Sequence, residues 1–414
     1  MYSLRLSYRR LFLTVLVLAQ AVLVAVFLYV QINRPKEATG DVVSFFQSLD
    51  TYKHNLITYH TVDSKINLRS VGARYSFIDF NSSVCYKNGT DLMSMNRTKN
   101  LQWSCNCLQG WHGIDCGQPE VFWRAMLANR KPIKVKGPRF FERRIIYIFT
   151  VDQFSESVAD IRVNELNDIV DLFILYESQS DNYLESKLNN NFLKEFHKKI
   201  LYVKGNLTDI WRTVKPLLKN LRNEDLLVTS NSSEILNKHA LSFTKYYDNW
   251  PQPLRFRLRW SVFGFFWIHP SKTIITGGAC TVSYLKHNLD DRLDFLIDNR
   301  TLSNPAHKGI ILGDLNHFGG WYCEYCTDAN RIVEFLKTRK SDIIDWNKVN
   351  NPKIDNQFIE DLIENGIYID SKTELKRSHR YSDNYYAPKF VTDFSWKYDY
   401  LIINFYSKID YYEG

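Results

Sequence analysis

Apolar residues recur along this chain in two different rhythms. The stretch 11–32 contains no charged residue and only Gln20 and Gln31 as strongly polar interruptions. A helix of about 20 apolar residues crosses the hydrocarbon of a bilayer, because each residue rises about 1.5 Å. From Arg143 onward the rhythm changes to short β-prone runs alternating with helical spacing. Ile145-Ile146-Tyr147-Ile148-Phe149 is the first run, followed by Val158, Ile161, Leu166 and Ile169 at helical intervals. The run 171–176 ends in Glu177-Ser178. A helical stretch over about 184–199 leads to Ile200-Leu201-Tyr202-Val203, and a second over about 208–221 leads to Leu226-Leu227-Val228-Thr229. Strands buried on both faces and separated by helices predict a parallel sheet with right-handed crossovers. Ligands of such sheets bind beyond the carboxyl ends of the strands, which points to Glu177-Ser178 and to the loop 230–234. Segments 255–267 and 273–280 read as further strands, and the C-terminal third as helix and loop with no linker.

Charge gives the apolar stretch an orientation. Arg5, Arg9 and Arg10 precede it, whereas Arg34 and Lys36 follow beside Glu37 and Asp41. The larger positive cluster stays in the cytoplasm, so the expectation is a single-pass type II anchor with the C-terminal bulk in the lumen. A cleaved signal peptide is the competing reading, with an apolar core of about 7–15 residues. The predicted layout is a cytoplasmic tail (1–10), an anchor (11–32), a stem (33–84), a cysteine module (85–118) and a large domain (140–414). A lumenal chain meets the glycosylation machinery, and sequons begin at Asn81, Asn88, Asn96, Asn206, Asn231 and Asn299. Aromatic residues make up 15% of the chain, enough for a large core and for ring-lined surfaces. The net charge of +8 comes without a dense Lys/Arg run, which argues against a nucleic-acid track.

Seven cysteines carry the next signal. Cys105-x-Cys107, Gly110-Trp111-x-Gly113 and Cys116 read as the closing half of an EGF-like module, a loop-rich unit that disulfides stabilise. The expected pairs are Cys107 with Cys116 and Cys85 with Cys105. Cys323-x-x-Cys326 suggests zinc, which would need two further ligands such as Cys280 and His317. It also suggests redox chemistry, which would place the pair at a helix start after a strand. In an oxidising lumen a structural disulfide from Cys280 to Cys323 or Cys326 is the expectation. An odd cysteine then stays free or bridges to a partner, so a disulfide-linked or non-covalent dimer is open.

The motifs taken together resemble one family. They run in order: 105–116; Glu165-Leu166-x-Asp168-x-Val170-Asp171-x-Phe173; Glu177-Ser178; Tyr247-Asp248-x-Trp250-x-x-Pro253; and Gly264-Phe265-Phe266-Trp267. They continue with Gly278-x-Cys280-Thr281-Val282, His317-Phe318-x-Gly320-Trp321-x-Cys323-x-x-Cys326 and Tyr386-Ala387-Pro388-Lys389. This set is similar to the bisecting N-acetylglucosaminyltransferases, the β-1,4-mannosyl-glycoprotein 4-β-N-acetylglucosaminyltransferase family. The resemblance implies an α/β, GT-A-like Rossmann-type nucleotide-sugar domain in the Golgi membrane. It implies UDP-GlcNAc as donor and the core β-mannose of glycoprotein N-glycans as acceptor.

Such a transfer inverts the sugar centre, so a carboxylate must take the acceptor proton and positive charge must meet the departing diphosphate. The resemblance implies Mn²⁺ or Mg²⁺ on an Asp-x-Asp pair after the fourth strand. This chain has Ser230-Asn231-Ser232-Ser233-Glu234 there, a degraded set in which Glu234 stands with Asn231 and Ser233. Arg257 and Arg259 are the cations that would replace the metal. Glu177 and Ser178 are candidates for the donor's ribose or base, with capping of the next turn as the alternative. Asp248 and Asp370 are candidate bases, Trp267 and Trp321 candidate sugar-stacking rings, and Asp168 and Asp171 structural caps. The second functional reading is a catalytically impaired relative that binds glycans or acts as a scaffold.

Overall fold

The computed structural model describes residues 20–22, 24, 58–97, 104–129, 133–297, 309–339 and 354–407. Among these residues no helix is long and apolar enough to cross a membrane. The anchor expected at 11–32 lies outside the described residues apart from 20–22 and 24, which are helical. Asn299 also lies outside them.

Two small hairpins come first in the chain. β1 (Phe77–Asp79) pairs with β2 (Val84–Tyr86), and β3 (Trp111–His112) pairs with β4 (Gln118–Pro119). The main sheet is built from β5 (Ile145–Thr150), β6 (Leu172–Glu177), β7 (Ile200–Lys204), β8 (Leu226–Ser230) and β9 (Glu234–Leu236). It continues with β10 (Leu254–Val262), β11 (Gly264–Thr281), β12 (Ile310–Leu312), β13 (Gly320–Glu324) and β14 (Lys376–Arg377). The order is β7-β6-β5-β8-β11-β10-β13-β9, with β12 on β10 and β14 on β11. β5 to β8 are mutually parallel, as the alternating runs predict. The predicted helices are shorter than their apolar spacing suggests, at Glu156–Leu166, Tyr183–Asn189 and Leu207–Val214.

Two-sided burial explains why these runs are apolar throughout. Tyr147 and Phe149 of β5 enter one core cluster with Phe173 and Leu175, while Ile146 and Ile148 enter another with Leu172, Ile174 and Trp211. Each fully buried side chain of this size contributes about 1.5–3 kcal/mol through removal from water. At the amino end of the sheet Arg144 donates to Asp225 through Nε (2.9 Å) and Nη2, with both side chains buried.

β11 is antiparallel to β8, β10 is antiparallel to β11, and β13 is parallel to β10. β10 and β13 therefore run in the direction of β5 and β8, and their carboxyl ends share one end of the sheet. Between Arg259–Thr273 and Ser261–Ile268 the register slips, so 269–272 bulge out of β11. Bulges of this kind re-aim side chains beside functional sites. Here the bulge sets Lys272 over the Trp260 ring at 5.8 Å.

Cys85–Cys105 and Cys107–Cys116 form as the module pattern predicts. The module joins the main core: Tyr86 packs on Tyr246 at 5.8 Å, and Tyr247 Oη donates to Asp115 at 2.6 Å. The expectation for Cys280 is overturned. Cys323 pairs with Cys326, and Cys280 is a free thiol, fully buried behind Leu285 and its neighbours. Burial pushes the thiol far above its usual range. A group so enclosed neither reaches Cys323 nor bridges to another chain. Zinc fares no better, since no cluster of three His, Cys, Asp or Glu ligands occurs among the described residues.

Residues 58–84, the far end of the predicted stem, pack on the α/β body. His60 bridges to Leu201 and Ile66 to Leu218, and Ile66 and Leu68 are buried. Isolated bridges carry no periodicity, so the sequence rhythm is silent about them.

Candidate active site

β5 passes by crossover to β6 on one side, and β8 lies on the other, so the strand order reverses between β5 and β8. The crevice outside such a switch point is where open α/β sheets bind ligands. A cavity of about 250 Å³ lies there, lined by Asp152 and Phe154 beyond β5, by Asn231, Ser232 and Ser233 beyond β8, and by Tyr322 and Glu324 of β13.

The loop after β8 is held from beneath by Arg162 of the helix Glu156–Leu166. Its guanidinium donates to the carbonyls of Glu234 (2.6 Å), Asn231 (2.7 Å) and Ser232 (2.7 Å) and lies 4.3 Å over the Phe149 ring. Arg162 is fully buried, and its Nη1 has no partner among the described residues. Tyr147 and Ser230 share a hydrogen bond of 2.8 Å below the same loop, and burial pushes the Tyr147 hydroxyl up to about 12. Nothing in the sequence singled out Arg162, because this helix also carries Glu156, Ser157, Asp160, Asn164 and Glu165.

Glu234, the acidic residue left in the degraded metal set, is turned inward. It is fully buried, and both its oxygens accept from Asn231, through the backbone amide (2.9 Å) and through Nδ2 (2.7 Å). Asn231 Nδ2 also donates to Thr276 at 3.2 Å. Burial raises the Glu234 carboxyl above the ordinary range, against the partial opposition of the Asn231 and Thr276 bonds. A hard dication wants several ionised oxygens converging at about 2–2.6 Å. A buried carboxylate already committed to an amide is no such ligand, so these residues do not fit Mn²⁺ or Mg²⁺.

Glu324 is the cavity's best-placed carboxylate, and neither periodicity nor motif singled it out. Trp260 Nε1 (2.7 Å) and Tyr368 Oη (3.0 Å) both donate to Oε2, leaving Oε1 without a partner among the described residues. Burial raises its pKa, and the two hydrogen bonds and Lys272 only partly counter this. The Cys323–Cys326 disulfide brackets Glu324, with Tyr325 in the left-handed region at φ 54°. Cys323 N donates to Ser233 O at 2.9 Å, which fixes this bracket to the β8 loop. A carboxylate with one oxygen held, one open and a raised pKa suits proton transfer.

The other predicted residues have different surroundings. Arg259 is on the wrong face to replace a metal. It lies beside Trp321, buried, and bonds to Ser378, Asp383 (2.8 Å) and the Tyr385 carbonyl, whereas the neighbouring Trp260 faces Glu324. Successive strand residues point to opposite faces, so Arg259 points away from the cavity. Arg257 donates to Thr273 Oγ1 at 2.8 Å and does not line the cavity. Glu177 accepts from Leu184 N (2.8 Å), Glu185 N (3.3 Å) and Tyr202 Oη, the capping arrangement, while Ser178 Oγ meets Ser180 Oγ at 3.2 Å.

Asp248 is clamped by Arg139 (2.6 Å) and Arg143, and lies outside the cavity lining. Asp370 accepts from Thr373 Oγ1 (2.6 Å) and from the amides of Lys372 and Thr373. Burial works upward on Asp370, but those bonds hold it below the usual carboxylate range. Asp168 pairs with Lys238 at 2.9 Å, and Asp171 accepts from Ile145 N at 2.8 Å. Trp267 Nε1 donates to Ile363 O, with its ring over Gly366 of the following turn. Trp321 is buried and donates to Tyr385 O at 2.8 Å. Asn81, Asn88 and Asn206 are exposed.

No protein-family profile matches the chain. It is 29% identical over 340 residues to a human protein described as β-1,4-mannosyl-glycoprotein 4-β-N-acetylglucosaminyltransferase, covering 73% of this chain and 63% of that protein. The rat protein of that description is 29% identical over 338 residues, covering 73% and 62%, and the mouse protein is 28% identical over the same span. This chain thus spans less than two thirds of the length of the curated relatives it matches. Among solved structures, a mannosyltransferase from Pyrobaculum calidifontis in complex with GDP-Man and Mn²⁺ aligns over 40% of this chain and 52% of that one. Identity there is 14% and the TM-score 0.27, too low to carry an argument.

Proposed function

Because this chain is a relative of the β-1,4-mannosyl-glycoprotein 4-β-N-acetylglucosaminyltransferases, we propose that it is a hexosyltransferase of N-glycan processing that works without a bound dication. The donor is UDP-GlcNAc and the acceptor the core β-mannose of glycoprotein N-glycans, in the Golgi lumen behind a type II anchor. The domain is GT-A-like. The observation that carries the reading is the switch-point cavity with Glu324 open to it. In the proposed step an acceptor hydroxyl attacks the anomeric carbon from the face opposite the diphosphate. The new C–O bond forms as the C–O bond to UDP breaks, UDP leaves with the electron pair, and Glu324 Oε1 receives the hydroxyl proton. Trp260 and Tyr368 keep that carboxylate aimed. Arg162, buried under the β8 loop, adds positive potential from behind.

A second reading, a glycan-binding relative without transfer, is favoured by one specific feature. Among the described residues no Lys, Arg or His lines the cavity, and Glu234 is tied to Asn231, so no described residue of the lining neutralises a diphosphate directly. Titration of the full-length chain with UDP-GlcNAc, with and without Mn²⁺, separates the two. Metal-independent binding followed by transfer to an N-glycan acceptor is the expected result. Binding that requires Mn²⁺ would overturn the metal-free step, and no binding by folded protein would leave the glycan-binding reading.

A further inference from the structure

A second and larger cavity lies across the sheet from the first. Trp321 and Tyr322 are consecutive in β13 and so point to opposite faces. Tyr322 lines the strand-end cavity, and Trp321 lines one of about 650 Å³. Residues of the disulfide module close it on one side, and segment 380–392 closes it on the other. Its volume is within the roughly 300–1,000 Å³ of sites that enclose small ligands.

Most of the charge on its walls is already compensated. Glu120 pairs with Arg124 and His112, Lys238 with Asp168, Lys389 with Asp393, and Asp383 with Arg259. Arg380 lies over the Tyr381 ring at 5.9 Å. The exception among the carboxylates is Glu165. It is only 6% exposed, its Oε2 accepts from Phe390 N at 2.7 Å, and Oε1 has no partner among the described residues. Across the cavity the Tyr385 hydroxyl is likewise without a partner among them, and its ring meets His317 edge-on at 6.0 Å. Trp111 and His239 form another edge-on pair at 5.0 Å on the module side.

With most wall charges paired and the two groups unpaired among the described residues, Glu165 and Arg380, of opposite sign, the cleft carries no net field that favours a strongly ionic guest. Rings with exposed faces suit the C–H patches of pyranoses, and an open carboxylate oxygen makes strong hydrogen bonds to hydroxyls. We propose that this cleft binds a neutral oligosaccharide, with Glu165 accepting from sugar hydroxyls and Tyr385 both packing on a ring and bonding to it. The inference rests on the glycan readings above and deepens them, placing an oligosaccharide contact in this cleft, across the sheet from Glu324 and distinct from the strand-end cavity. It gives the disulfide module a role, that of one wall of a carbohydrate site.

The test is titration of the full-length chain, without nucleotide sugar, using the neutral pentasaccharide Man₃GlcNAc₂, with a sulfated oligosaccharide of similar size as comparison. Saturable binding of the neutral sugar is expected. Glu165→Gln keeps an acceptor for Phe390 N, so the fold persists by circular dichroism while affinity falls about tenfold, the loss of one charge-assisted bond. Tyr385→Phe weakens binding by about threefold to tenfold. Absence of saturable binding, preference for the sulfated sugar, or unchanged affinity in both variants would overturn the proposal. Loss of binding in Glu324→Gln with retention in Glu165→Gln would also overturn it, placing the sugar in the strand-end cavity. Transfer is assayed separately, so glycan binding without transfer supports this site while removing the transferase reading.

Discussion

Replacing Asn231 by Asp brings back one of the two carboxylates of the Asp-x-Asp pair and tests whether the β8 loop depends on the amide. Asn231 Nδ2 donates to Glu234 Oε1 at 2.7 Å, and Glu234 is fully buried. With an aspartate side chain there in the same rotamer, two carboxylates would face each other at that separation. At an effective dielectric of about 20 the repulsion is about 6 kcal/mol. The cheaper escape is rotation of the new carboxylate into solvent, which forfeits a hydrogen bond to a charged group, about 2–3 kcal/mol. That cheaper cost sets the expected loss. With an unfolding entropy of about 2.1 cal/mol/K per residue over roughly 350 residues, Tm at neutral pH falls by about 3–4 °C.

The deficit has a definite pH dependence. Burial already raises the Glu234 carboxyl, and a neighbouring carboxylate raises it further, so the repulsion is relieved by protonation and the deficit shrinks as pH falls. Differential scanning fluorimetry of wild type, Asn231→Asp and Ser233→Ala reads this out, the last variant removing the sequon but leaving the amide. Mn²⁺ should raise Tm in Asn231→Asp/Ser233→Asp and leave the wild type unmoved. An Asn231→Asp protein melting within about 1 °C of wild type at neutral pH would refute the reasoning, because the amide bond would then hold nothing.

Glu324→Gln should lower transfer by about 10²–10⁴-fold with UDP-GlcNAc affinity retained. The acidic limb of the wild-type rate should lie above the ordinary glutamate value of about 4.3, since burial raises this carboxyl and only the ionised form accepts a proton; a limb at the ordinary value would count against Glu324 as the base. Asp225→Ala strands Arg144 in the core and should cost about 3–5 kcal/mol in urea unfolding; a loss below 1 kcal/mol, roughly that of a surface pair, would mean that the buried pair is not needed. Glycopeptide mapping should find Asn81, Asn88 and Asn206 modified and Asn231 bare, because both hydrogens of its Nδ2 are taken by Glu234 and Thr276 in the fold; a glycan on Asn231 contradicts that arrangement.

Local chemistry was enough to determine a good part of this protein. β5 to β8 are legible as continuous apolar runs, since a strand buried on both faces has no polar side to alternate. The pairs Cys85–Cys105 and Cys107–Cys116 follow the EGF-like half-module pattern, two tight cysteines, a Gly-aromatic turn and a last cysteine. The loop 230–234 was found from the strand-end rule and forms part of the lining of the switch-point cavity. Only tertiary structure decided that Cys280 is enclosed, which leaves Cys323 to its near neighbour Cys326, because whether a distant cysteine comes within reach depends on which faces the sheet turns together. Only it decided that Arg259 and Trp321 face one side of the sheet and Trp260, Tyr322 and Glu324 the other. One residue of slip in β10 or β13 would exchange those sets, and the continuous pairing from Arg259–Trp321 to Val262–Glu324 that fixes them is formed only when the two strands meet. The cleft between the disulfide module and the sheet is hidden from the sequence for the same reason: its walls come from segments far apart in the chain, and only packing brings Glu165, His317 and Tyr385 to one surface.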